Sequence, residues 1–511
     1  MKKKDLCMSA AVAFAVAVAL AGCGGTTYFA GRVLPPSGLT NRVLIAIQNP
    51  NAINRGALQF VDAFYDTRSG FNGKPPSFSI AGYSGSLPVT IQNMPEEQLG
   101  AVYGSGDGSF VTANYATESS SAVAGTLNGP SSSIFVTRNQ AYIFAASQAS
   151  HVLTVVDHTN GGSYPLSLPG IYRVSVNAGG SVALAFVQNS NYVYYPRKLT
   201  TAQTLTYSGG PSTWPLGAVD CEPQNAPGWC LFQALDPAST SAKIIPLVFD
   251  RPVKAVFSAD GGTAYVLNCG PECGGSKASV TPLPVAPMIY LIGQQSGTLP
   301  STTSTLSAQC GAVNIATGCI PIPGGASNAL VDSTTLYVVG QCLGAKALSG
   351  QQPQCATGQE AQSGLFTGML TVVDNSKSPA SVSNPISISD GVPGAISRML
   401  LADDNTLWIG MTQCTNGVRA ATGQPYGCLT MVNVTTPTSP TVTMLEPYIG
   451  DATGIAAVTG LHKIYTAEGG QVYIFSTVDG SSFDNQYVTV TGTAYDVAYM
   501  DAESDSNNTV Y

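Results

Sequence analysis

Residues 253–268, VKAVFSADGGTAYVLN, hold a complete strand–turn–strand unit. Alternation puts Val256 on one face of the first strand and Phe257 on the other. Asp260-Gly261-Gly262 makes a tight turn, and a second strand rich in Tyr and Val returns to Asn268. Related units start at Ser132, Ile171, Asn328, Ile396 and Gly454, with a looser one at Val89. Third strands follow and end on an acid or amide at Asp62, Asp157, Asp236, Asp374, Asn433 and Asp479. Such a side chain bonds the backbone two residues on and starts the turn into a fourth strand.

Four-stranded units repeating at roughly 40 residues or more, each unable to bury both faces alone, make a β-propeller. The pattern resembles the YVTN and lactonase-like propeller repeats over nearly all of residues 41–511. The segment FSADGGTAYVLN lies nearest that pattern, and Tyr265-Val266-Leu267-Asn268 departs from the family tetrapeptide by one residue. The expected class is therefore all-β. Seven complete first-and-second-strand pairs follow residue 88, while the segment before it supplies three strands without an inner one. TAYDVAYMD, from Thr493, supplies the missing strand, so the N- and C-terminal strands would pair and close a ring of eight blades. Seven is the alternative if the Val89 copy is not a separate blade.

Composition agrees with many short strands joined by turns. Only 10% of residues are charged, while Gly numbers 55 and Pro 33. At the N-terminus, Lys2, Lys3 and Lys4 precede an apolar run from Ala10 to Leu20, too short to span a bilayer. The run exits through Leu20-Ala21-Gly22-Cys23, which resembles the lipobox of bacterial lipoproteins. This predicts a signal peptide over 1–22, a lipidated Cys23 opening a flexible tether over 23–40, and a propeller domain over 41–511. The resemblance implies palmitate or a similar acyl group on Cys23, a bacterial cell-envelope location and a membrane partner through the lipid. The chain carries −8; removing Lys2 to Lys4 (+3) and Asp5 (−1) leaves −10. Beyond Lys2–Lys4 no basic cluster exists, which argues against nucleic acid as a partner.

Of 12 cysteines, Cys7 leaves with the signal and Cys23 carries lipid, so ten remain. In an exported chain an even set reads as disulfides between close neighbours: Cys221 with Cys230, Cys269 with Cys273, Cys310 with Cys319, Cys342 with Cys355 and Cys414 with Cys428. Their spacing and the three histidines speak against metal. In a blade, second-to-third-strand loops share a face with fourth-to-first-strand loops. The reading places swollen second-to-third loops at Ser190–Gly228, Cys269–Pro287, Cys342–Thr367 and Cys414–Gly427 on that face, each holding a cysteine pair or, for Cys230 and Cys428, ending beside its second member. Closing a loop of about ten residues removes unfolded-state entropy worth roughly 2–3 kcal/mol. The fifth pair, Cys310 and Cys319, falls on the opposite face.

Catalytic motifs are scarce. His151, His158 and His462 fall in separate loops and cannot converge, and the Asp501, Glu503, Asp505, Asn507 alternation lacks the glycine and terminal glutamate of an EF-hand. No nucleophile elbow, phosphate loop or HExxH helix occurs, and no cofactor or metal is expected. Loop aromatics Tyr192, Tyr194, Tyr195, Trp214, Trp229 and Tyr426 are candidates for contact with an envelope protein or glycan. Arg173, Arg251, Lys254 and Arg398 stand near the starts of inner strands with Asp451 and Asp496, bordering the channel where an anion would sit. The expectation is a monomeric binding or scaffolding module using the face with stapled loops. The family resemblance implies the alternative, a lactonase-like hydrolase or isomerase working in the channel.

Overall fold

The computed structural model describes residues 32–53, 55–68, 78–122, 127, 129–222, 228–235, 242–284, 319–343, 366–389, 395–413, 428–445 and 449–503. Its strands form eight separate antiparallel sheets, the blades of an all-β propeller. Blades 1 to 8 take their inner strands from Thr493–Tyr499, Pro88–Met94, Ser133–Val136, Ile171–Val176, Pro252–Phe257, Asn328–Asp332, Ala395–Ala402 and Ala452–Val458. Neighbouring inner strands touch around the ring, and Gln92 bonds both backbone groups of Val136 between blades 2 and 3.

Every interface between blades holds apolar side chains, because each sheet has two faces to bury. Val256 packs toward blade 6 and Phe257 toward blade 4, as alternation along Pro252–Phe257 requires. The ring closes on a composite blade: Thr493–Tyr499 pairs antiparallel with Arg42–Gln48, which pairs with Gly56–Asp62. Residues 78–80 bond Leu58 and Phe60 as its fourth strand. The looser copy at Val89 forms blade 2 in its own right, so the count is eight. At the ends of third strands, Asp62, Asp157, Asp374, Asn433 and Asp479 each accept the amide two residues on at 3.0 Å.

Blade 4 departs from the sequence reading. Its third strand is Val193–Lys198, and Trp229–Gln233 is the fourth, flanked by an extra edge strand, Ala218–Glu222. The second-to-third connection is thus the short segment 188–192, and the swollen insertion, 199–228, lies on the opposite face. Pro196 disguised the third strand, since proline removes a ladder donor. The fold tolerates it because pairing with the second strand stops at Val193 and Tyr194. The insertion carries a helix, Thr201–Tyr207, started by a capping box in which Thr200 and Gln203 bond each other's backbone amides.

The tether reading also ends early. Arg32 donates to the carbonyls of Pro95 (2.7 Å) and Ala502 (2.9 Å), and the Ser37 amide donates to Glu118 at 2.9 Å, so residues 32–40 lie against the ring. Cys23, the signal segment and the first part of the tether fall outside the described residues.

Candidate functional site

Inner strands present unpaired N–H and C=O groups to the channel, and these need partners. In blades 1, 2, 4, 5, 7 and 8 the pairing between inner and second strand shifts at one residue, a β-bulge. The residue following each bulge is Asp496, Thr90, Arg173, Lys254, Arg398 or Gly454. A bulge twists the strand and re-aims the side chain beside it. Ser133 and Asn328 hold the same place in the two remaining blades, three and four residues before the ends of their inner strands, as Arg173 and Lys254 stand three before theirs. Eight positions from distant parts of the chain thereby form one layer.

Much of this layer satisfies backbone. Asp496 Oδ2 accepts the Ile91 amide of the next blade at 2.8 Å, and Oδ1 accepts its own Val497 amide at 3.0 Å. Ser133 Oγ meets both the amide and the carbonyl of Val174, and Asn328 Oδ1 accepts the Ala329 amide at 2.9 Å. Gly454 must be small, because a Cβ there would lie 2.5 Å from Asp496 Oδ1 and 2.7 Å from its Cα.

The remainder is cationic. Arg398 Nη2 pairs with Asp496 Oδ2 at 3.1 Å, and buried Lys254 donates to Asn328 Oδ1 at 2.8 Å. Burial, then the charges of Arg173 and Arg398, pull the Lys254 pKa well below its ordinary value. Burial pushes Asp496 up, opposed first by Arg398. Arg173 is half-buried, its guanidinium 5.6 Å from the ring centroid of Tyr172. Among the described residues Arg173 has no ion pair.

Arg251 and Asp451 stand apart from this layer. Arg251 donates from Nη1 to the Asn189 carbonyl and from Nε to Gly274 O at 3.4 Å, and Asp451 accepts the Gln413 amide at 2.7 Å. Arg251 instead helps hold the loop after the second strand of blade 5. Cys269 and Cys273 are bonded within that loop around a turn of 3-10 helix, Gly270–Cys273. Asp250 accepts the amides of Ser276 and Lys277, and Glu272 reaches blade 6, where Oε2 accepts the Gln341 amide at 2.9 Å. The loop is therefore locked on three sides, on the face where inner strands begin and the channel layer opens.

Burial pushes Glu272 up to about 7 from an ordinary 4.5, against the Gln341 amide. With the folded pKa raised, the proton is held more tightly in the folded state. Its contribution to stability is full below about 4.5 and is lost as pH rises through about 7. Glu272→Gln is expected to stabilise the protein by on the order of 2–3 kcal/mol at pH 8 and by little at pH 5. Urea midpoints at the two pH values decide it; an equal gap at both would show that Glu272 does not titrate in this way.

Cys221 and Cys230 are bonded across the two outer strands of blade 4, on the insertion face rather than on the face of the blade 5 loop. Cys319, Cys342 and Cys428 are each disulfide-bonded, with partners outside the described residues, where Cys310, Cys355 and Cys414 lie. Cys342 sits within its second strand, Thr335–Leu343, rather than just after it.

The aromatic candidates do not assemble into a surface. Trp229 is fully buried, packing edge-on to Tyr142 (5.5 Å) and Phe144 (6.0 Å), with Nε1 donating to Asp157 at 3.2 Å. Tyr195 stacks on Phe232 at 5.5 Å, and Trp214 packs beside the Cys221–Cys230 bond. Tyr194 packs on the blade core and half-buried Tyr192 stands in the short turn before it; Tyr426 lies outside the described residues. These side chains were read as loop residues because the blade 4 strands were misplaced by one. The histidines stay apart: His151 is exposed in a turn, His158 Nδ1 lies 2.6 Å from Gln140 O, and His462 pairs with Asp404 at 2.8 Å. None is on an inner strand. Among the described residues no cluster of potential metal ligands occurs, and Asp501 serves Arg42.

Thr90, Ser133, Asn328 and Gly454 were missed. Aligning the repeats on their first turns would have exposed them, since each occupies the position of Arg173 and Lys254.

No family model matches the chain, and no curated protein does. Among solved structures it is similar to the Pseudomonas aeruginosa periplasmic gluconolactonase PpgL, at 12% identity and TM-score 0.42, over 90% of this chain and 98% of that one. Citrobacter koseri AztD is similar at 10% identity and TM-score 0.42, over 90% and 98%. Kuenenia stuttgartiensis hydrazine synthase is similar at 13% identity and TM-score 0.41, over 77% and 96%. Similarity at this level carries no functional argument.

Proposed function

We propose that this protein is a lipid-anchored, extracytoplasmic β-propeller that works as a binding module through the face where the channel layer opens. The observation that carries the reading is the blade 5 loop: a disulfide, Asp250, Arg251 and Glu272 hold it rigid beside that mouth. Rigid loops lose less entropy on meeting a partner, which is how stapling raises affinity. The disulfides support an oxidising compartment. The lipobox-like Leu20-Ala21-Gly22-Cys23 supports the anchor and a bacterial envelope location. Its partner is an envelope protein or glycan.

One experiment tests both halves. Native protein and two variants, Cys23→Ser and Cys269→Ser with Cys273→Ser, are expressed and the envelope is fractionated and solubilised in detergent. Cys23→Ser should leave the membrane fraction and lose labelling by a palmitate analogue. The loop variant should stay in the membrane, melt within a few degrees of wild type, and recover its partner about tenfold less well. Membrane retention and labelling unchanged in Cys23→Ser would remove the anchor, and unchanged partner recovery would leave the staple with a stability role only.

A further inference from the structure

Among the described residues the channel layer holds three basic side chains, Arg173, Lys254 and Arg398, against one carboxylate, Asp496. That carboxylate is already committed to Arg398 and two backbone amides. Among the described residues Lys254 has only a neutral acceptor, Asn328. Basic groups gathered in a buried layer repel one another when charged, a cost relieved either by loss of the Lys254 proton or by a counter-charge that joins them. The bulges aim these side chains inward, so the excess charge is built by the fold and is not a chance of long flexible arms.

We infer that the layer binds a small oxyanion, a ligand bearing a carboxylate or phosphate group, with Arg173 and Lys254 as its contacts and Arg398 adding to the field. Guanidinium matches either group through two parallel N–H bonds, and an ammonium adds a point charge. Half-buried Arg173 stands third in its strand, toward the mouth, and buried Lys254 lies beside it in the next blade. The inference deepens the binding role proposed above but does not depend on the stapled loop or on the membrane partner.

The bound anion reverses the balance that now holds Lys254 down. The groups facing Lys254 are Arg173, Arg398 and the neutral Asn328, with Asp496 beyond Arg398. An added negative charge among them favours the ammonium, so binding draws a proton from solvent.

Calorimetry on the full chain at low ionic strength and pH 8 tests this, with inorganic phosphate and malonate as probes. Malonate is run in two buffers of different ionisation enthalpy, because its carboxylates stay ionised at that pH and the proton count is read directly. Saturable binding of either probe is expected, and which one binds more tightly identifies the head group. Malonate binding should be accompanied by proton uptake. Arg173→Gln should weaken binding about tenfold or more while leaving the melt unchanged. Lys254→Met should abolish the proton uptake. Absence of saturable binding by wild type to both probes overturns the inference, as does binding unchanged in both variants. Neither result touches the partner-recovery experiment, so the two readings fail separately.

Discussion

A chain lacking residues 493–511 is expected to lose cooperative folding altogether. Those residues include the inner strand of blade 1, Thr493–Tyr499, which is paired with Arg42–Gln48. Ala494, Val497 and Tyr499 fill the interface with blade 8, and Ala498 and Met500 fill the interface with blade 2. Large buried apolar side chains contribute roughly 1.5–3 kcal/mol each, and a folded domain has only about 5–15 kcal/mol in reserve. Deletion also exposes the full edge of Arg42–Gln48, an invitation to intermolecular pairing. Circular dichroism melts and size-exclusion profiles decide the matter. A truncated protein that melts like the full chain would show that the ring does not depend on its composite blade.

Arg42→Ala is expected to cost about 3–5 kcal/mol, the usual result of leaving buried carboxylates without their cation. The guanidinium is buried at the seam where the ends of the ring meet. Nη2 pairs with Asp501 at 2.6 Å, Nε donates to the other Asp501 oxygen at 3.0 Å, and Nη1 pairs with Glu118 at 2.9 Å and donates to Tyr115 O at 2.7 Å. Glu118 in turn holds Ser37, so one side chain ties together the incoming chain, blades 1 and 2, and the C-terminal segment. Urea unfolding of Arg42→Ala, Asp501→Ala and the double variant gives the coupling directly, with at least about 1 kcal/mol expected. Independent, additive losses would reduce Arg42 to a packing role.

Period-two alternation at Val256 and Phe257, the turn at Asp260-Gly261-Gly262 and the terminal acids of third strands are local devices. Each acts over two to five residues, so each was legible before any pairing was known, and together they pointed to an all-β propeller closed by Thr493–Tyr499 with eight blades favoured over seven, a count that pairing of the Val89 copy settled. Neighbouring cysteines within one hairpin loop, such as Cys269 and Cys273, were legible for the same reason.

Blade 4 was not, because Trp229–Gln233 and Val193–Lys198 are both plausible partners for the second strand, and only pairing chooses between them. That choice buried Trp229 and moved the Cys221–Cys230 bond to the other face. The channel layer is the clearest case of what tertiary structure alone decided. The sequence named Arg173, Lys254, Arg398 and Asp496 without their directions, and grouped them with Arg251 and Asp451, a few residues away. A bulge turns the side chain that follows it, and its position depends on register with the second strand, set by the whole sheet. Eight such registers, drawn from blades hundreds of residues apart, had to meet before three cations and one carboxylate faced each other across a channel.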